Sequence, residues 1–271
     1  MVGKLECLPF LEDKMDFKYK KKLGQNFLQD EGILKKIADS VEVKKDDLII
    51  EIGPGQGALT KYLVQKGCDV LAFEIDLDTK NYLDKITTTN LKIIYRDFMQ
   101  IDLLDYINKE YKNIYVIANI PYYITTPIIE KLIKSKITIN SMVLLVQKEV
   151  ATRFAAGPGS SDYGSISVYL NYYFKIKKLF DVSRKCFKPE PNVDSAVIKL
   201  EAREMASLKD EKVMWKLVKD AFQFKRKNLK NNWRDYDLNK IKAVLIKYEL
   251  NLNCRAEELP LEVFEEIANN L

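Results

Sequence analysis

The feature that most constrains the fold is a regular alternation between residues 48 and 150. Five short apolar runs are separated by polar stretches with helical spacing: LIIEIG, DVLAFEI, LKIIYRD, NIYVIAN and MVLLVQ. Strands that are apolar on both faces are typical of a parallel sheet covered by helices on both sides. The alternation therefore predicts an α/β domain built on a mostly parallel sheet.

The pattern changes twice after residue 165. KKLFDVS and SAVIKLEA predict two strands, and the proline-rich CFKPEPNVDS between them predicts a loop leading into a late antiparallel strand. Later stretches have helical spacing without strand patterns, which predicts a small helical domain. We expect a basic N-terminal extension at residues 1–22, an α/β domain at residues 23–201 and a helical domain at residues 205–271.

Composition argues against several kinds of site. The 271 residues include no histidine, and the four cysteines lack paired C-x-x-C spacing. A zinc site and histidine-activated nucleophiles are therefore not expected.

No apolar run approaches the roughly 20 residues of a membrane-spanning helix, and the N-terminus resembles no signal or transit peptide. We expect a cytoplasmic protein without membrane or metal partners. Its net charge of +5 suits a polyanionic partner but is equally compatible with solubility alone.

A glycine-rich turn follows the first of these strands, in EIGPGQGALT at residues 51–60. Such glycines let the backbone approach a ligand, with the following helix N-terminus aimed at it. Gly53 and Gly55 fit both the dinucleotide pattern G-x-G-x-x-A and the pattern G-x-G-x-G of S-adenosylmethionine enzymes. Glu74, at the end of the next strand, is spaced to bind the ribose of either cofactor. The turn leaves the cofactor open, and a turn without a ligand is the simpler alternative.

Polar residues end consecutive predicted strands. Glu74, Asp97 and Asn119 fall at the carboxyl ends of the second, third and fourth strands, the edge where open α/β sheets bind ligands. Asp97 could accept a hydrogen bond from the exocyclic amine of a cofactor adenine, although an acid after a strand more often caps a turn or helix.

The sequence Asn119-Ile120-Pro121-Tyr122 suits methyl transfer to an adenine amine. That amine is a poor nucleophile, and its attack on a methyl sulfonium needs positioning rather than a base. The Asn119 oxygen and a backbone carbonyl near Ile120 could accept hydrogen bonds from the two N–H groups of the adenine amine. Pro121 could fix the backbone, and Tyr122 could stack on the base. An ordinary strand-end turn is the alternative, and the preceding glycine motif favours the functional interpretation.

Five segments closely resemble the rRNA adenine N6,N6-dimethyltransferase family in order and spacing: KKKLGQNFLQD (20–30), EIGPGQGALT (51–60), NIPYYITTP (119–127), QKEVATRFAAGPGSSDYG (147–164) and FKPEPNVDSAV (187–197). The resemblance implies a class I S-adenosylmethionine-dependent methyltransferase fold, which is Rossmann-like with a late antiparallel strand, plus a small C-terminal α-helical domain. S-adenosylmethionine is then the cofactor and S-adenosylhomocysteine the product.

The resemblance also implies roles for individual residues. Asn119 would bridge the cofactor and the target base, while Tyr122 and Phe187 would enclose a flipped adenine between their rings. These three form the implied catalytic set. The implied cofactor-binding set is Gln25, Asn26, Leu28, Gly53, Gly55, Glu74, Asp97 and Asn119.

Branches of this family differ in their targets. The KsgA-like branch modifies two adjacent adenosines near the 3′ end of small-subunit (16S) rRNA, the Erm-like branch modifies large-subunit rRNA, and mitochondrial relatives also act in transcription initiation. The segments CRAEELPLEVFEEIANNL and GPGSSDYG resemble the first branch. We therefore expect a monomeric enzyme of small-subunit biogenesis acting on an immature 30S-type particle. The alternatives are an Erm-like resistance enzyme and a non-catalytic nucleic-acid-binding factor. Tyr123 departs from the family, which often has Asn there.

Basic residues concentrate in three places: Lys14–Lys22, Lys175–Lys185 and the segment FKRKNLKNNWR at residues 224–234. The first two of these runs are interpreted as solvated faces, which is the usual role of a run of like charges. The third holds what we call the basic cluster, interspersed with Phe224 and Trp233, which suits contacts to an RNA phosphate backbone. The basic cluster comprises Lys225, Arg226, Lys227, Lys230 and Arg234.

Overall fold

The computed structural model describes residues 19–20 and 24–271. The rest of the expected extension at residues 1–22, including most of the basic run Lys14–Lys22, lies outside the described residues. The strands are β1 (Phe27–Leu28), β2 (Leu48–Ile52), β3 (Asp69–Glu74), β4 (Leu91–Tyr95), β5 (Ile114–Asn119), β6 (Ser141–Gln147), β7 (Phe174–Val182), β8 (Phe187–Lys188) and β9 (Ser195–Ala202).

Helices connect and cover these strands. The α-helices are α1 (Glu31–Ala38), α2 (Thr60–Val64), α3 (Lys80–Leu83), α4 (Thr125–Lys134), α5 (Lys148–Ala155), α6 (Ser165–Tyr173), α7 (Glu211–Ala221), α8 (Leu229–Asn232), α9 (Leu238–Lys247) and α10 (Leu261–Asn270). Short 3-10 helices span Leu77–Thr79, Phe98–Gln100, Leu103–Tyr106, Tyr122–Ile124, Arg184–Cys186 and Ala256–Glu258.

Seven strands form the main sheet in the order β4-β3-β2-β5-β6-β9-β7. Strands β2 to β6 pair in parallel, while β9 lies antiparallel between β6 and β7. The chain runs outward from β2 through β3 to β4 and then returns to the other side of β2 at β5. Open α/β sheets bind ligands at such a reversal, so the residues that follow β2 and β5 mark the expected site.

The alternation of the central strands explains why both faces of the sheet are covered. All five residues of β2 are buried. Leu48 and Ile50 pack on one face, in a core that includes α4 and α5, while Ile49 packs on the other face with α1 and α2. The prediction of a mostly parallel sheet covered on both sides is confirmed.

The predicted C-terminal helices are present as α7, α9 and α10. Their core is built around Trp233 and Phe264, and it also takes in Tyr163 and Tyr172 from the preceding part of the chain. Trp233 is fully buried and donates its indole N–H to the carbonyl of Leu217 at 3.0 Å. This tryptophan is therefore a core residue rather than an aromatic surface within the basic cluster.

The described residues lack two features that would indicate other kinds of function. Within residues 19–20 and 24–271, no helix is long and apolar enough to span a membrane. The same residues contain no group of three or more acidic or cysteine side chains placed to hold a metal ion.

Candidate active site

The glycine turn after β2 forms one side of the site. Gly53 and Gly55 have φ angles of 72° and 58°, a left-handed conformation that glycine adopts without strain. A Cβ atom on Gly53 would meet no atom within 4 Å, so the backbone is open to a ligand at this point. A Cβ atom on Gly55 would clash with Cε1 of Phe27, so this ring covers the second glycine.

Glu74 ties the glycine turn to the end of β3. Its Oε2 atom accepts a hydrogen bond from the Gly55 N–H at 2.8 Å, and its Oε1 atom accepts one from the Asp76 N–H at 2.7 Å. Burial raises the pKa of this carboxyl, although both backbone hydrogen bonds act in the opposite direction. Each carboxylate oxygen can accept a further hydrogen bond, so Glu74 can support the turn and also bind a ribose hydroxyl.

Glu51 lies near the end of β2, just before Gly53, and was not among the residues expected from the sequence. Its side chain is buried, and Oε2 has no hydrogen-bond partner within the described part of the chain. Burial raises the pKa of Glu51 to about 8, although an interaction with the Thr60 hydroxyl opposes this rise and the charge of Glu74 adds to it. A buried polar atom without a partner is uncommon. The Thr60 hydroxyl, whose Oγ1 atom also has no hydrogen-bond partner among the described residues, interacts with this carboxyl. A cationic group bound at the glycine turn would be a further partner for the carboxylate.

The segment of residues 24–29, here called the strap, lies across the carboxyl edge of the sheet. Gln25 donates from Nε2 to Oδ2 of Asp76 at 2.5 Å, and Lys20 Nζ lies 2.5 Å from Oδ1 of the same carboxylate. Burial opposes ionisation of Asp76, but hydrogen bonds from Lys20 and Gln25 outweigh it and lower its pKa. The backbone carbonyl of Asn26 accepts a hydrogen bond from Asn119 Nδ2 at 3.2 Å. The strap is thus held near both β3 and β5.

Asn119 ends β5 and is half-buried. Its Nδ2 atom is committed to the strap, whereas its Oδ1 atom accepts no hydrogen bond from residues 19–20 or 24–271. The amide is therefore held in one orientation with its acceptor oxygen available. This is the arrangement that positioning of an amine requires.

Two tyrosines follow in the 3-10 turn after Pro121. The Tyr122 hydroxyl lies 2.6 Å from Oγ of Ser195, a fully buried residue that begins β9. Burial raises the pKa of Tyr122, so this hydroxyl stays neutral at physiological pH. Tyr123 is 62% exposed, and its ring lies 3.1 Å from the position that a Cβ atom on Gly24 would occupy. The residue that departs from the family pattern therefore packs on the strap.

Leu28 and Phe187 are neighbours in the short pairing of β1 with β8. Both side chains belong to the core, with exposures of 2% and 5%. Phe27 rather than Leu28 lies on the glycine turn. The sequence pattern could not separate these two adjacent apolar residues, because only the direction of the strap decides which of them faces the site.

Asp97 caps the 3-10 helix that follows β4. Its two carboxylate oxygens accept hydrogen bonds from the Met99 N–H and from Gln100 Nε2, each at 2.9 Å. The structure thus confirms the alternative role considered for Asp97, which is to cap the turn that follows the strand. Asp97 remains at the ligand-binding edge, and its oxygens keep capacity for another donor.

The basic cluster lies on the C-terminal helical part, in and after the turn between α7 and α8. All five of its side chains are exposed. Arg234 approaches the carboxylate of Asp235 at 3.7 Å. Among the residues that the structure describes, no hydrogen bond or ion pair links the basic cluster to the strap or to the strand ends. The structure therefore brings together the strap, the glycine turn and the strand-end residues, with the basic cluster on a separate element.

The fold and the site define a class of protein. A glycine turn after β2, a carboxylate after β3 and an amide after β5 meet where the strand order reverses, and the sheet contains one antiparallel strand near its edge. This is the fold of class I S-adenosylmethionine-dependent methyltransferases.

Comparison with known proteins narrows the class. The family model described as ribosomal RNA adenine dimethylase matches residues 16–271. "Ribosomal RNA small subunit methyltransferase A" of Streptococcus sanguinis is 42% identical over 278 residues, covering 96% of this chain and 94% of that protein. The protein of the same name from Lactococcus lactis is 41% identical, covering 94% and 91%. The chain belongs to the ribosomal RNA adenine dimethylase family.

Solved structures agree with this assignment. A dimethyladenosine transferase from Plasmodium falciparum has a TM-score of 0.73 at 27% identity, covering 89% of this chain and 95% of that one. The 23S rRNA methyltransferase ErmE has a TM-score of 0.74 at 24% identity, covering 91% and 99%, and supports the fold alone. The chain is an S-adenosylmethionine-dependent rRNA adenine dimethyltransferase, and the predicted fold, cofactor and enzyme class are confirmed.

Proposed function

We propose that this enzyme transfers methyl groups to N6 of two adjacent adenosines near the 3′ end of small-subunit (16S) rRNA. The observation that carries the choice of target is the similarity, over nearly the full chain, to relatives named for the small subunit, at 37–42% identity. The large-subunit alternative has weaker support, since the 23S rRNA enzyme is similar at 24% identity. Loss of transfer is disfavoured because the glycine turn and the Asn119-Ile120-Pro121-Tyr122 sequence are intact.

The residues around the glycine turn suit S-adenosylmethionine. This cofactor supplies an electrophilic methyl group on a sulfonium sulfur. The open backbone at Gly53 and the unpartnered carboxylate oxygen of Glu51 suit its methionine end, which carries a cationic amine. Glu74 and Asp97 would bind the ribose and the adenine. The remaining residues proposed to hold the cofactor are Gln25, Asn26, Gly55 and Asn119, to which we add Phe27. Leu28 is kept in this set through its backbone alone, because its side chain lies in the core.

Asn119 positions the target amine. The hydrogen bond from Nδ2 to the strap leaves Oδ1 to accept one N–H of the adenine amine. A backbone carbonyl near Ile120 would accept the second. Two acceptors on the N–H bonds favour a pyramidal nitrogen whose lone pair points away from them, and no general base is needed before attack. The proton released after transfer leaves to water, which fits a chain without histidine.

Two aromatic residues would receive the base. Tyr122 offers a ring at the mouth of the site, and stacking there offsets the cost of removing an adenosine from its helix. Phe187 is proposed to supply the opposite face. Because only 5% of Phe187 is exposed, the base must displace neighbouring side chains to reach this ring.

RNA binding is proposed to involve the basic cluster. Its five exposed cations lie outside the catalytic machinery and suit phosphate contacts. We accordingly assign residues 23–201 to a catalytic domain and residues 205–271 to an RNA-binding domain. The shared core around Tyr163, Tyr172 and Trp233 would keep the two in register. The substrate is an immature 30S-type particle, and the enzyme acts as a cytoplasmic monomer in small-subunit biogenesis.

The substitution Asn119→Ala tests this mechanism. Unmodified small-subunit particles are incubated with labelled S-adenosylmethionine, and nucleosides are analysed after digestion. Loss of positioning should reduce transfer by at least about 100-fold, while the melting temperature stays close to that of the wild type. Asn253→Ala, in an exposed loop before α10, serves as the matched control. Transfer by the Asn119 variant at the rate of this control would refute the assigned role.

A further inference from the structure

The contact between Tyr122 and Ser195 joins two segments that are 73 residues apart in the chain. Ser195 was not singled out by any sequence motif for chemistry. We propose that Ser195 is a positioning residue, which holds the ring of Tyr122 in the orientation needed to stack on the target adenine. This inference rests on the proposed function, because it concerns how the enzyme receives its base.

The position of Tyr122 explains why its ring needs a hydrogen bond to hold its orientation. It lies in a three-residue 3-10 turn at the surface edge of the sheet, between half-buried Pro121 and exposed Tyr123. A stacking ring must present its face to the base, and rotation about its side-chain torsions would lose that alignment. A hydrogen bond at the far end of the ring restricts this rotation, while leaving both faces of the ring unoccupied by the bond itself.

Ser195 provides a rigid anchor for this hydrogen bond. Its backbone is paired with Gln147 of β6 on one side and with Val182 of β7 on the other. It also follows directly on the loop that begins at Phe187. The 2.6 Å contact therefore links Tyr122, proposed to cover one face of the target base, to the strand that follows the loop after Phe187, which is proposed to cover the other face.

A second buried serine in the same sheet provides a control for the loss of a hydroxyl. Ser141, on β6 of the same sheet, is 5% exposed, and its Oγ atom has no hydrogen-bond partner among the described residues. Ser195 Oγ, in contrast, has the Tyr122 hydroxyl as its partner. Ser141→Ala is therefore a matched control, which removes a buried hydroxyl from the same sheet without touching the site.

The test compares Ser195→Ala, Tyr122→Phe and the double variant. Each single substitution should lower kcat by about three- to tenfold, the range expected for one hydrogen bond. The dissociation constant for S-adenosylmethionine and the melting temperature should stay near the wild-type values. The double variant should be no slower than either single variant, because both remove the same interaction. Ser195→Thr, which keeps the hydroxyl, should recover most of the rate, and Ser141→Ala should leave it unchanged.

Three results would overturn the inference: an unchanged kcat for Ser195→Ala, rate losses that add in the double variant, or a loss that follows the fraction of unfolded protein. The assay uses both unmodified small-subunit particles and large-subunit RNA as substrates. Methylation of the large-subunit RNA alone would refute the proposed target, and the same comparison of variants on that RNA would still decide the role of Ser195.

Discussion

The substitution Glu51→Gln should make the cofactor-free protein more stable at alkaline pH. Glu51 is fully buried beneath the glycine turn, and burial raises its pKa to about 8 from an ordinary value of 4.5. Between these two pH values the folded state keeps a proton that the unfolded state has released. The free energy of unfolding of the wild type therefore falls as the pH rises through this window and reaches its full loss above about pH 8.

The size of this effect follows from the two pKa values. At 1.36 kcal/mol per pKa unit, the difference corresponds to roughly 5 kcal/mol, a large part of the stability of a typical domain. Glutamine has a similar shape and no proton to release, so the variant lacks this dependence. We expect wild type and variant to have similar stability at about pH 4.5, and the variant to be more stable by up to roughly 5 kcal/mol at about pH 9.

Urea unfolding followed by circular dichroism at several pH values, without cofactor, measures this difference. Glu42→Gln is the matched control, since Glu42 is exposed between α1 and β2 and its variant should follow the wild-type curve. The glutamine at position 51 should also weaken S-adenosylmethionine binding, because it removes the carboxylate proposed to pair with the ligand amine. Parallel stability curves for wild type and Glu51→Gln would show that burial does not raise the pKa of this carboxyl.

The remaining predictions concern the cofactor, the base and the RNA. Gly55→Ala should raise the dissociation constant for S-adenosylmethionine at least about tenfold in calorimetric titrations, because a Cβ atom there displaces the ring that covers the turn. Gly67→Ala is the control: it has comparable backbone strain, but its Cβ atom would meet open space, so it should leave this dissociation constant unchanged. Phe187→Leu keeps most of the buried apolar volume but should weaken productive binding of the base by about 1–3 kcal/mol in kcat/KM, and wild-type kinetics would show that the ring is not needed. Neutralising the basic cluster should weaken rRNA binding without changing cofactor affinity. It should also flatten the plot of log binding constant against log salt concentration, by roughly 0.9 in slope for each phosphate that the protein no longer neutralises. Neutralising exposed Lys44 and Lys45 is the control and should leave this slope unchanged.

Local patterns were sufficient to predict the sheet. The central strands β2 and β6 are almost entirely apolar and are buried on both faces, so the sequence pattern matches the environment. The positions of Glu74 and Asn119 at one edge followed from the parallel arrangement alone. The C-terminal helices were equally clear, because α7, α9 and α10 each have an apolar stripe of helical spacing.

Contacts between distant segments could not be predicted in this way. The bond from Asn119 to Asn26 and the contact of Tyr122 with Ser195 span 93 and 73 residues, and no local pattern encodes them. The burial of Trp233 was missed for a related reason. The residues around it in sequence include the exposed cations Lys230 and Arg234, whereas its side chain faces the core of the helical part.

Glu51 shows a different limit. Within the strand LIIEI it looks like the single polar residue of a buried run, and sequence alone does not show whether its carboxylate has a partner. The structure shows that one of its oxygens has none among the described residues. The signal for this residue is therefore a charged side chain inside an otherwise apolar strand that leads into a glycine turn.

Nucleoside analysis after methylation of two RNAs tests the proposed target of this enzyme. Wild-type protein is incubated with labelled S-adenosylmethionine and either unmodified small-subunit particles or large-subunit RNA, and the modified sites are located by mass spectrometry. We expect N6,N6-dimethyladenosine at two adjacent positions near the 3′ end of the small-subunit rRNA and none in the large-subunit RNA. Modification of the large-subunit RNA alone, or the absence of transfer to either, would contradict this expectation.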